Sequence, residues 1–152
     1  MAWTRTESLR YVTLTRLEVA KMLVLQDDLI KAINGSLSKT QLATSITQAG
    51  LSLAQKVFSI GGTPTAIAGH IINAFAAIAT AERQAVLESV TYGRSWYISL
   101  NNSLARNPSW ISLYAQAPFL KFVDNQTYVS FSVNHGQGVI KSVQTKTGTI
   151  EL

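Results

Sequence analysis

The chain has 152 residues, with 13 Lys and Arg against 8 Asp and Glu, two His and no Cys. That length suits one ordinary domain, and an apolar fraction of 47% is enough to build a core. The lack of Cys excludes disulfide frameworks, thiolate zinc sites and Cys nucleophiles. Only 14% of residues are charged, and Ser, Thr, Asn and Gln take the place of the missing charge.

A net charge of +5 raises the question of nucleic acid. Phosphate binding needs clustered cations, because each neutralised phosphate adds a counterion-release contribution. Here the cations run from Arg5 to Lys146 with no adjacent pair, so no nucleic-acid partner is expected. An anionic membrane stays in view as a partner for the same charge.

In chain order, the segment from Thr6 to Asn34 reads as an amphipathic helix. Val12, Val19, Leu23, Ile30 and Ile33 share one stripe, and Thr4 or Thr6 supplies the cap. The run Tyr11-Val12-Thr13-Leu14-Thr15 has strand character within it. Ser38-Lys39-Thr40-Gln41 matches a capping box and opens a helix to about Ile60, along the stripe Leu42, Ile46, Ala49, Leu53, Val57 and Ile60. Gly61-Gly62 ends it. Thr63-Pro64 caps a third helix to about Arg83, apolar nearly all round.

After Arg83 the pattern changes. Val86, Glu88, Val90 and Tyr92 alternate, as do Trp96, Ile98 and Leu100, which predicts strands turning at Gly93; a helix through Val90 is the competitor for residues 84–92. Ser95-Trp96-Tyr97-Ile98-Ser99-Leu100 is echoed by Ser109-Trp110-Ile111-Ser112-Leu113-Tyr114. The tail from Phe119 to Leu152 reads as short alternating strands separated by polar turns. The expected fold is α+β: a three-helix layer or helical hairpin, then an antiparallel β meander. It forms a single domain over 1–152, mainly helical over 1–83 and mainly β over 84–152.

Catalytic chemistry is sparse. His70 has no second ligand at i+4, where Ala74 stands, and His135 lies in a Gly-flanked turn. Asp27 and Asp28 are adjacent, so on a helix they diverge by about 100° and do not face each other for acid–base work. Gly61-Gly62-Thr63-Pro64 lacks the spacing and Lys of a phosphate loop. No enzyme activity, metal, cofactor or small-molecule substrate is expected. Sequons occur at Asn34, Asn101 and Asn125, a number that chance supplies in such a composition.

One feature stands out. From Thr40 to Ala81 Lys56 is the only formal charge. Two arms of about twenty residues, near a bilayer-spanning length, flank Gly61-Gly62-Thr63-Pro64. The layout resembles soluble pore-forming proteins, which hide a charge-free helical hairpin within a water-soluble fold. This implies a secreted, extracellular, non-enzymatic membrane-active protein of toxin or bacteriocin type. Val57, Phe58, Ile60, Ile67, Ile71, Ile72, Phe75 and Ile78 would enter the membrane. Gly61, Gly62 and Pro64 would form the hinge, and Trp96, Tyr97, Trp110 and Tyr114 an interfacial aromatic patch. The alternative is a self-assembling structural subunit of a virion, filament or surface layer, a homo-oligomer whose neutral polar faces are buried between copies.

Overall fold

A computed structural model describes residues 3–152. Its first element is a strand, β1 (Trp3–Thr15), which overturns the expected helix-first order. The stripe that suggested a helix from Thr6 holds only from Val19 onward. Before that, Val12 and Leu14 are buried while Tyr11, Thr13 and Thr15 are exposed, the period of a strand. Thr15 then caps α1 (Arg16–Ile33): its side chain accepts from the Glu18 N–H, and the Glu18 carboxylate accepts from the Thr15 N–H. The cap therefore lies about ten residues beyond Thr4 and Thr6.

Helix α2 (Lys39–Ala49) starts at Ser38 through the expected box with Gln41. It does not continue to Ile60. Gly50 adopts φ +110, which breaks the segment and starts α3 (Leu51–Phe58). Thr63 caps α4 (Pro64–Ala76), with proline in the first turn.

The 27-residue α5 (Thr80–Arg106) replaces the strands expected at 84–100, so the helical part extends well past residue 83. Val86, Val90, Gly93, Tyr97, Leu100 and Leu104 are buried at steps of four, three, four, three and four, a helical stripe. Trp96 and Tyr97 are both buried although adjacent, which excludes a strand with one wet face.

Four strands follow: β2 (Ser112–Asp124), β3 (Ser130–Asn134), β4 (Val139–Thr145) and β5 (Gly148–Glu151). The antiparallel sheet has the order β1-β2-β4-β5, with β3 also on β2. This is not the expected meander. β3 and β4 share one edge of β2, at Phe119–Val123 and Ser112–Gln116 respectively, and do not pair with each other.

β1 and β2 pair over all 13 residues with no register shift, yet their buried side switches along their length. On β2 the buried residues are Leu113, Ala115, Ala117 and Phe119, then Leu120, Phe122 and Asp124. The sheet is thus covered on opposite faces at its two ends. At one end Phe75 of α4 meets Phe122 and Phe131 edge-on, at 5.7 and 6.2 Å between ring centres, and those two stack at 5.0 Å. At the other end Val12 and Leu14 lie on the face that carries Leu113 and Ala115.

Candidate interaction surface

The membrane-hairpin residues of the sequence reading lie in the core. Val57, Phe58, Ile67, Ile71, Phe75 and Ile78 are buried, and Ile60 and Ile72 pack against them. Gly61, Gly62 and Pro64 form the corner between α3 and α4, where Gly62 takes φ +109. Among the described residues no helix is long and apolar enough to cross a membrane.

The four aromatic residues do not form one patch. Trp96 and Tyr97 are internal, Trp110 is half-buried, and only Tyr114 is exposed. Tyr114 stacks on Tyr11, with ring centres 5.2 Å apart, on the uncovered face of the sheet. Sequence reasoning missed Tyr11 because it was assigned to a helix.

The remaining candidates disperse. Asp27 binds Arg94, while Asp28 approaches Lys31 at 4.0 Å. His70 is half-buried on α4. The His135 ring lies 3.9 Å from Glu7, in a hollow of about 210 Å³ lined by Glu7, Ser8, Leu9, Pro118 and His135. No cluster of three or more His, Cys, Asp or Glu suited to a metal occurs among the described residues.

Two polar knots, one part-buried and one buried, set the sheet on the helices. Arg10 donates to the Val57 and Lys56 carbonyls at 2.7 and 3.1 Å, satisfying the end of α3, and its guanidinium sits 4.5 Å from the centre of the Phe119 ring. Burial holds Arg10 below the ordinary guanidinium range, and burial pushes the Tyr97 phenol up, so Tyr97 stays neutral. In the second knot, the Gln26 amide donates to the Val90 and Asn134 carbonyls, both at 2.9 Å, tying α1 to α5 and β3.

With these knots fixing it in place, β1 forms one edge of the sheet. The Asp124 N–H is taken by the Val129 carbonyl on the far side of β2, so Trp3, opposite Asp124, does not bond to β2. Alternation then turns the backbone groups of Trp3, Arg5, Glu7, Leu9 and Tyr11 away from β2, and no second strand pairs with that outward side in the described sheet. At Thr13, the next outward carbonyl, Lys56 Nζ donates at 2.8 Å and closes the edge.

The open stretch has no Pro, no Lys and no bulge, and its charges are Arg5, Glu7 and Arg10, the last of them turned in onto the end of α3. It carries Leu9, 66% exposed, and Tyr11, 53% exposed. The opposite edge is β5, where Ile150 is also exposed. No protein-family model, curated protein or solved structure matches the chain.

Proposed function

We propose that this protein is a non-enzymatic structural subunit that assembles with copies of itself through its sheet. The observation that carries the reading is the unpaired outer edge of β1, from Trp3 to Tyr11, with Leu9 and Tyr11 exposed along it. The second free edge at β5 supports growth beyond a pair, since a subunit that extends an assembly needs two separate contacts. The Ser and Thr faces suit burial between identical neighbours, where no charge is left unpaired.

The test is the mass of the purified protein by light scattering, without lipid, from micromolar to millimolar concentration. Mass that rises with concentration to a defined oligomer or polymer supports the reading. A monomer throughout that range refutes it.

A further inference from the structure

The open edge of β1 has a self-complementary order of side chains, and this identifies its partner. Resting on the self-assembly reading, we infer that β1 pairs antiparallel with β1 of a second copy about a two-fold axis at Thr6.

Partners in such a ladder must share parity, because residues facing each other point their backbone groups the same way. Two-fold registers therefore centre on a residue. Centring on Arg5 sets Arg5 against its own copy, and centring on Glu7 does the same to Glu7; both oppose like charges. Centring on Ser8 sets Glu7 opposite Leu9 and leaves both charges unmatched. Centring on Leu9 brings Arg5 opposite Thr13, where Lys56 already occupies the edge.

Centring on Thr6 matches every pair. Arg5 faces Glu7 of the second copy and Glu7 faces its Arg5, while Trp3 and Leu9 face each other twice. Thr4 faces Ser8, and Thr6 faces Thr6. Glu7 is free to take this role: its side chain is well exposed, and among the described residues it makes no ion pair with a Lys or Arg. Arg5 lies 3.0 Å from Glu82, itself well exposed, and its fork has donors for a second carboxylate. The pairing adds a ladder from Trp3 to Leu9 and joins the two sheets.

The absence of cysteine allows a direct test. At the axis Thr6 forms a non-hydrogen-bonded pair, with Cα atoms about 4.5 Å apart, within disulfide reach. The single variant Thr6→Cys is expected to form a covalent dimer under mild oxidation, and Ser8→Cys is not. Glu7→Arg, which opposes four cations, is expected to weaken self-association about tenfold or more. Arg5→Glu with Glu7→Arg restores the alternation and is expected to recover it.

Cross-linking at Thr6 with this charge-swap pattern supports the register. Self-association that persists without Thr6 cross-linking, or that ignores Glu7→Arg, overturns the register and leaves the assembly reading standing. A wild-type chain that stays monomeric overturns both.

Discussion

Gly93→Ala offers a sharp test of the packing because two effects predict opposite signs. Within a helix interior, replacing Gly by Ala ordinarily stabilises by about 1 kcal/mol. Gly93 lies mid-way along α5, where the Gln26 amide and β3 press against it. A Cβ there would fall inside the contact distance of the Asn134 carbonyl and side-chain oxygens, and 2.6 Å from Gln26 Nε2. The carbonyl is backbone within β3, so relief requires α5 and β3 to separate. That separation loosens the two buried bonds from Gln26 to Val90 and Asn134.

Leaving a buried donor unsatisfied costs about 1–3 kcal/mol, and crowding a packed contact adds about 1–3 kcal/mol more. Set against the propensity gain, the expected net loss is about 1–5 kcal/mol, a sizeable part of the roughly 5–15 kcal/mol of a typical domain. Urea unfolding of both proteins at neutral pH measures it, with an unchanged m-value showing that the transition remains comparable. A variant as stable as the parent, or more stable, would refute the close approach of α5 to β3.

Two further predictions address other joints. Burial opposes the charge on Glu18, but the Thr15 N–H and the Lys56 ammonium outweigh it and hold the carboxyl below its usual range. A depressed folded pKa gives stability that is present above the unfolded value and lost as pH falls through the folded one. Glu18→Gln is therefore expected to cost under about 1 kcal/mol at neutral pH, with the difference shrinking below pH 4.5, as read from midpoints across a pH series. Phe131→Ala removes a ring stacked on Phe122 and is expected to cost about 3–5 kcal/mol by urea unfolding. A loss under 1 kcal/mol would mean that the two rings do not share a core.

Local signals in the sequence were legible where they are self-contained. The Ser38–Gln41 box, the Thr63-Pro64 start and the strand pattern at Tyr11–Thr15 each rest on a few adjacent residues, and each has its counterpart in the structure. What failed depended on distant partners. Gly93 resembles a turn glycine, but it is needed because β3 lies against the helix. Gly138 has the same hidden cause: a Cβ there would sit 2.6 Å from the Gln116 carbonyl and 2.8 Å from the Trp96 ring. Alternation at Trp96, Ile98 and Leu100 misled because Trp96 and Leu100, four apart, also share a helix face, while Ile98 lies off that face and is only partly buried. The candidate edge was hidden for another reason. Nothing within Trp3–Tyr11 reveals which side of the strand its neighbour takes, and the neighbour is more than a hundred residues away.

The charge-free stretch can be judged by what its departure would require. Val57, Phe58, Ile67, Ile71, Phe75 and Ile78 are each nearly or fully buried. Fully burying such a side chain is worth about 1.5–3 kcal/mol, so exposing six removes roughly 9–18 kcal/mol. That is comparable to the whole stability of a typical domain, roughly 5–15 kcal/mol. We therefore expect the segment to swing out about Gly61 and Gly62 in water only with loss of the fold, since α4 would carry away the ring that covers Phe122 and Phe131. Dye release from anionic and zwitterionic liposomes, followed alongside near-ultraviolet circular dichroism from neutral to mildly acidic pH, tests this coupling. The expected result is no release wherever the aromatic signal of the native core is intact. Release with that signal unchanged would show that the segment leaves at little cost, and would favour membrane insertion over assembly.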